Sequence, residues 1–459
     1  MLYQIDDVEK LSRSEIRKLY SEYVNPGLAS MLSLLNFDKN FVRAEGCYVW
    51  DSDGNKYIDF LGAYGALNLG HNPPEIREAL SKVSSRPNLL QASLSTYAAV
   101  LGHNLSEVAP SGLKNSFFCN SGTEAVEGAL KTARAATGKF KIISCEGSFH
   151  GKTMGALSAT GRKKYQIPFS PLVPGFETVE YGCLDTLEEK LKAKDVAAFI
   201  VEPIQGEGGI IVPPEGYLKG ARKLCSQYGA LLIVDEIQTG LGRTGRMFAC
   251  EEEGVTPDIM CVAKSIGGGI MPIGAFITTS EVWEKAFGGM EKCLLHTSTF
   301  GGNTMACAAG IASINAIVEN KLPERAREMG EYMLNGLKAL KDRYNMIKDV
   351  RGRGLMVGIE FETEERGLLN RITGGAVNKF YQEFAGAMVA GELLNGHRII
   401  TAYTLNNPNV IRMEPPLIIT KQDIDQMLNA LEDIFTKNRG LLKLTFSTVK
   451  TAAGSLFSR

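Results

Sequence analysis

Lys264 closes the apolar run Met260-Cys261-Val262-Ala263 and is followed by Ser265, Ile266 and three glycines, Gly267, Gly268 and Gly269. Asp235 closes an earlier apolar run, Leu232-Ile233-Val234. A lysine at a strand end is drawn out of water, so its amine loses its proton more readily and can attack a carbonyl to form a Schiff base. A carboxylate can keep a pyridine nitrogen protonated, and a protonated pyridine ring is an electron sink. An amine for an aldehyde and a carboxylate for a ring nitrogen are what pyridoxal phosphate asks of a protein. Most lysines are solvated surface charges and many strand-end aspartates cap helices, so the pair takes its meaning from its surroundings.

Three further groups supply them. Asn120-Ser121-Gly122-Thr123-Glu124 lies where a strand turns into a helix, so the amides of Gly122 and Thr123 and the hydroxyls of Ser121 and Thr123 can face a phosphate at the positive helix end. In isolation it is an ordinary capped turn. In Phe149-His150-Gly151 the aromatic ring can lie flat on a pyridine while the glycine lets the backbone come close. The plain alternative is a core phenylalanine beside a locally bonded histidine. Gln238, just past Asp235, can donate its amide to a phenolate oxygen, or can be a surface glutamine. Phosphate turn, aromatic, aspartate and lysine follow one another at successive strand ends, which is more than coincidence provides.

The elements that must position these residues are legible between about 115 and 320. Apolar strands at Ser116 to Cys119, Lys141 to Ser144, Ala197 to Glu202, Ala230 to Asp235, Asp258 to Val262 and Gly274 to Thr278 alternate with longer helical stretches, which predicts a mostly parallel sheet covered by helices on both faces. The helix after Gly122 carries Ala125, Leu130 and Ala133 and should stop at Gly138. Upstream, residues 14–35 read as helical with a break at Asn25-Pro26-Gly27, and Cys47 to Phe60 reads as a hairpin turning at Asp51-Ser52-Asp53-Gly54. Beyond 320, helical patterns at 324–343 and 422–437 flank strand-like pieces at 355–361 and 409–413, a smaller α+β unit. Residues 441–459 have no clear pattern.

Composition narrows the partners. Among 459 residues, 50 basic and 51 acidic side chains give a net charge of −1, so no overall field attracts nucleic acid or an anionic membrane. Small molecules are the expected partners. The nine cysteines are scattered without a CxxC pair, which points to reduced thiols, with Cys119 and Cys261 as apolar packers, and argues against a disulfide framework or a zinc site. Asp6, Asp7 and Glu9 stand where a signal peptide needs basic and then apolar residues, and no run is long enough to span a membrane. The expectation is a cytoplasmic protein.

The motifs together resemble those of the class III aminotransferases, of the fold type I pyridoxal phosphate superfamily, from about residue 20 to 437. The likeness is carried by Phe117 to Glu124, Phe149-His150-Gly151-Lys152, Glu202-Pro203-Ile204-Gln205-Gly206-Glu207-Gly208-Gly209 and Thr299-Phe300-Gly301-Gly302-Asn303. Within the class it most resembles the putrescine aminotransferases, through the N-terminal extension, Phe248-Ala249-Cys250-Glu251, Thr404-Leu405-Asn406-Asn407 and Ile411-Arg412-Met413-Glu414-Pro415-Pro416. The resemblance implies a seven-stranded, mostly parallel α/β sheet in a large cofactor domain at 61–320. A helical extension and hairpin at 1–60 and an α+β segment at 321–440 would form the small domain, with a tail at 441–459.

It also implies roles. Ser121, Gly122 and Thr123 would hold the cofactor phosphate, with Thr299 reaching in from the partner subunit of a homodimer. Phe149 would stack on the ring with His150 beside it, Asp235 would pair with its nitrogen and Gln238 with its phenolate, and Glu202 would position this cluster. Lys264 would form the Schiff base and shuttle the proton. Arg412 would bind a substrate carboxylate, and Glu207 would pair with Arg412 when none is bound. Tyr64 stands where the putrescine enzymes usually carry phenylalanine, and the segment from Gln382 to Ala402 is longer than theirs. The activity implied is transfer of an amino group from a terminal amine, putrescine or cadaverine, to 2-oxoglutarate. The alternatives are an ornithine, N-acetylornithine or other ω-amino acid or aldehyde aminotransferase, a pyridoxal phosphate racemase or mutase, and a phosphate-binding protein using only the turn at 120–124.

Overall fold

The computed structural model describes residues 2–90, 92–362 and 376–438. After two helices, Arg13–Tyr23 and Pro26–Leu34, the chain enters an antiparallel ribbon of β1 (Phe41–Glu45), β2 (Tyr48–Asp51) and β3 (Lys56–Asp59). The expected break is there: Asn25 caps the second helix and Pro26 starts it, where its missing N–H costs nothing. Asp51 makes the β2–β3 turn by accepting the amides of Asp53 at 3.1 Å and Asn55 at 2.9 Å, and Gly54 takes the left-handed φ of 81° that closes it.

The central sheet has seven strands in the order β4 (Leu113–Cys119), β10 (Gly274–Thr279), β9 (Ile259–Val262), β8 (Leu231–Asp235), β7 (Val196–Val201), β5 (Lys141–Cys145) and β6 (Phe176–Val179). β10 alone runs antiparallel, against both β4 and β9. All residues of β7 and of β9 are buried, the signature of strands covered on both faces. Asp235 pairs with Cys261, Val262 with Ala275, and Cys119 with Gly274, so the carboxyl ends of β8, β9 and β4 lie level. Strand β6, Phe-Glu-Thr-Val, carries no apolar run and has no sequence signal of its own.

The helix Gly122–Thr137 buries Ala125, Leu130 and Ala133 against the sheet and stops at Gly138, whose φ of 66° is the left-handed stop. Downstream, β11 (Ile347–Arg353), β12 (Met356–Phe361), β14 (Ala402–Tyr403) and β15 (Val410–Met413) form a second, antiparallel sheet in the order β11-β12-β15-β14, packed by the helices Leu322–Arg343 and Lys421–Lys437. The expected strand pieces at 355–361 and 409–413 are β12 and β15. β11 was not foreseen.

The longer segment at 382–402 is mostly helix, Ala376–His397, followed by β13 (Ile399–Ile400). Tyr381, Ala385, Ala387, Met388, Val389, Ala390 and Leu393 are all buried, so the helix lacks the single apolar stripe that marks a helix in sequence. β13 runs parallel to β3, with Ile399 opposite Ile58. The pattern-free 441–459 lies outside the described residues. Among those described, no helix is long and apolar enough to cross a membrane, and no His, Cys, Asp and Glu cluster could hold a metal.

Candidate active site

A cavity of about 450 Å³ opens at the level carboxyl ends of these strands, the position where parallel α/β sheets bind ligands. Ser121, Gly122 and Thr123 line it from the end of β4, Phe149, His150 and Gly151 from beyond β5, Glu202 from the end of β7, Asp235 and Gln238 from β8, and Lys264 from β9. Ten residues chosen for cofactor contact therefore include nine that share one cavity.

The phosphate turn is built as a cradle. Ser121 is the N-cap of Gly122–Thr137, and the Thr123 hydroxyl lies 2.7 Å from that of Thr153, itself donating to Glu127 at 2.6 Å. Gly151 has a φ of 132°, and a Cβ there would sit 2.2 Å from the Thr123 oxygen. Only glycine lets these two turns meet.

Asp235 is 4% exposed and both its oxygens are engaged: Oδ2 lies 2.8 Å from His150 Nδ1, and Oδ1 accepts the amide of Ile237 at 3.1 Å. Burial works against charge on His150, but the hydrogen bond and charge of Asp235 prevail and raise its pKa. The imidazole thus steadies the carboxylate from behind, and its Nε2 is buried without a hydrogen-bond partner. Glu202 ties two loops together, accepting the amides of Phe149 at 3.0 Å and Gly206 at 3.2 Å. Burial pushes its carboxyl up to about 7, against the opposing pull of His150.

Lys264 holds a left-handed φ of 50°, uncommon for a residue with a side chain. Burial lowers its pKa, while the charges of Glu414 and Glu207 oppose the fall. Gln238 differs from expectation: its amide nitrogen donates to Glu414 Oε1 at 2.8 Å and Oε2 at 3.0 Å, with the Tyr64 carbonyl at 3.3 Å. Donation to a cofactor oxygen requires that amide to share its hydrogens.

Arg412, Glu207 and Tyr64, expected to meet the substrate, are not among the residues that line this cavity; β15 presents Arg412, completely buried. Its Nη2 is 2.5 Å from Glu207 Oε2, and its Nη1 is 3.4 Å from Glu414 Oε2. Burial disfavours its charge, yet the two carboxylates hold its pKa above the ordinary value. Nε has no hydrogen-bond partner and Nη2 is held by Glu207, so release of Glu207 would bare one edge of the guanidinium to a planar carboxylate. The carbon of that guanidinium lies 5.2 Å from the centre of the Tyr64 ring. Tyr64 and Ala63 both have left-handed φ, 61° and 48°, so the ring is held by a strained turn.

Thr299 does not line this cavity. It is exposed, in a second cavity of about 660 Å³ with Phe117, Phe118 and His296, while the adjoining Ser298 accepts from Asn120 at the edge of the first. Sequence reasoning gave no role to Glu414, although it stands two places after Arg412, where successive residues of extended chain return to the same side. Cys119 and Cys261 are buried as expected of packers, and all nine cysteines are free.

A buried lysine, a buried aspartate and a hydroxyl-lined helix end around one cavity, with Arg412 close enough to act on the charge of Lys264, fit pyridoxal phosphate, and define the class as pyridoxal phosphate-dependent aminotransferases. Residues 34–435 match the family model of class III aminotransferases, and the chain belongs to that family. An ornithine aminotransferase from Toxoplasma gondii ME49 is similar to it at 31% identity over 99% of this chain and 98% of that one, with a TM-score of 0.81. An acetylornithine aminotransferase from Elizabethkingia anophelis is 32% identical over 86% of this chain and 93% of its own, TM-score 0.72. An (S)-enantioselective omega-transaminase from Thermomicrobium roseum is 28% identical over 93% of this chain and 98% of its own, TM-score 0.81.

Proposed function

We propose that this aminotransferase takes the amino group of a terminal diamine, putrescine or cadaverine, and passes it to 2-oxoglutarate, leaving an amino-aldehyde and glutamate. The observation that carries the reading is the Glu207–Arg412 ion pair at 2.5 Å. A donor without a carboxylate leaves that pair closed, and 2-oxoglutarate needs it open. A buried arginine left without either partner would cost several kcal/mol, so the closed pair serves one half-reaction and the Nε and Nη2 edge that Glu207 would vacate serves the other.

Pyridoxal phosphate, when bound, supplies an aldehyde for the amine and a ring that spreads the electron pair left by proton removal. Ser121, Gly122 and Thr123 would hold its phosphate, Phe149 would face its ring, and Asp235, steadied by His150, would keep the ring nitrogen protonated. The Lys264 amine, its basicity lowered by burial, takes the proton from the amine-bearing carbon of the donor. We further propose a cytoplasmic homodimer in which Thr299 serves the phosphate of the partner subunit, in keeping with its place outside its own cavity.

A second reading, an ornithine-type donor, is favoured by the likeness to the Toxoplasma gondii ornithine aminotransferase over 99% of this chain. Single-turnover absorbance changes of the purified holoenzyme with putrescine, cadaverine, ornithine, N-acetylornithine and 4-aminobutyrate separate the two. Conversion by the diamines with little response to the carboxylate-bearing amines supports the first reading. The reverse order replaces it with the second.

A further inference from the structure

Arg412 is flanked by two carboxylates where one would neutralise it. Glu414 is completely buried just past the end of β15, its amide donating to the Phe60 carbonyl at 2.7 Å. Its carboxylate receives the Gln238 amide at 2.8 and 3.0 Å and lies 3.4 Å from Arg412 Nη1. Glu207 takes the other end, at Nη2. The next cation, Arg243, is also fully buried, but it donates to neutral acceptors, Leu355 O, Pro415 O and Asn68 Oδ1, and it feels the charge of Glu414 first and then that of Asp59, which lies 2.9 Å from His71. Directly against Arg412, Glu207 and Glu414 set two carboxylates beside one guanidinium.

The two carboxylates are not equivalent. Glu414 has no exposed surface and is fixed by the Gln238 amide, whereas Glu207 retains some exposure, at 7%, and lies against the loop at 405–406 through the amide of Leu405 at 2.8 Å. Nη2 of Arg412 is the atom that Glu207 holds and Nε has no partner, a second sign that the exchangeable ligand sits at that end. Glu414 therefore stays with Arg412 in both half-reactions, and Glu207 is the partner that can be released.

We infer that Glu414 is a specificity-determining positioning residue: by permanently neutralising one end of Arg412, it leaves Glu207 with negative charge to spare for the distal ammonium of a diamine. This rests on the diamine reading for the identity of the donor, but the charge effect itself does not. A buried excess negative charge attracts an incoming ammonium and weakens the grip of Arg412 on an incoming carboxylate. With Glu414 neutral, the preference should move the other way for both.

The test uses holoenzyme, with cofactor absorbance and thermal melting confirming that Glu414→Gln remains loaded and folded; the variant keeps an oxygen for the Gln238 amide. Glutarate, which carries two carboxylates and no reacting group, probes the arginine side by titration of the cofactor absorbance. Putrescine probes the ammonium side by single turnover. Glu414→Gln should tighten glutarate and weaken putrescine, each by roughly tenfold, and Glu414→Asp, which keeps the charge, should retain the parent's ratio of the two. Shifts in the same direction for both probes, or a ratio lost equally in the Asp variant, overturn the inference. If the parent enzyme refuses diamines, the donor reading fails, while tighter glutarate binding in Glu414→Gln still upholds the charge effect and unchanged or weaker binding refutes it.

Discussion

At the scale of single residues, the site joins an acid that must stay charged to one that burial pushes toward neutrality. Asp235 is held by His150 at 2.8 Å and by the Ile237 amide, so Asp235→Asn should keep the cofactor bound through its other contacts yet slow proton removal from the donor by roughly a hundredfold or more. Stopped-flow measurement of the donor half-reaction checks this, and a loss of less than about tenfold, some 1.4 kcal/mol of barrier, removes Asp235 from the role. Glu202 is the opposite case. Its folded-state pKa near 7 lies above the ordinary 4.5, so the folded chain binds its proton more tightly than the unfolded one, and the resulting stability is lost as pH rises through that interval. Glu202→Gln, which never ionises, should gain in melting temperature relative to the parent between pH 5 and 8, and a difference that stays flat contradicts the assignment. Lys264, Asp235 and the phosphate turn were legible in sequence because each ends an apolar run. The His150–Asp235 contact was not, because the two residues meet only when β5 and β8 come into one sheet, and Glu414 was hidden because a motif read for its arginine says nothing of which neighbour shares its pocket.

At the scale of elements, the cavity depends on two turns meeting closely, after β4 and after β5. Gly151→Ala tests that approach: its Cβ would lie 2.2 Å from the Thr123 oxygen and 3.0 Å from Ala156 Cβ, at a φ of 132° that alanine rarely adopts. The variant should fold with a loss of about 1–3 kcal/mol and bind pyridoxal phosphate at least roughly tenfold more weakly, read by urea denaturation and by cofactor titration. Unchanged cofactor affinity would mean that the Thr123 hydroxyl is not needed where it stands. Strands covered on both faces announced themselves as apolar runs, and six of the seven central strands were found that way. β6 escaped because Glu177 and Thr178 break its pattern, and Ala376–His397 escaped for the reverse reason, being apolar around most of its circumference. Periodicity reveals an element only when one side of it differs from the other.

At the scale of the whole molecule, the exposed position of Thr299 makes a statement about assembly that mixing can check. Thr299→Asp should repel the phosphate of whichever cavity it reaches, and Lys264→Ala inactivates its own. Neither variant should turn over alone. Coexpressed in equal amounts, they should recover activity on the order of a quarter of the parent's, because half of the random dimers hold one intact cavity. No recovery means that Thr299 acts within its own chain or not at all. The molecule is also closed by a long-range clasp: Ile399 of β13 lies opposite Ile58 of β3, and the Glu414 amide reaches the Phe60 carbonyl. At roughly 5–20 residues per second, a ribosome takes on the order of 20–70 s to travel from β3 to β13. The nascent chain spends that interval with the β3 edge open, an invitation to mispairing. The residues lining the Lys264 cavity are all made by Ile273, whereas Arg412 and Glu414 arrive only after the clasp. Synthesis thus delivers the walls of the Lys264 cavity well before Arg412 and Glu414, the last members of the buried ion cluster, can join it.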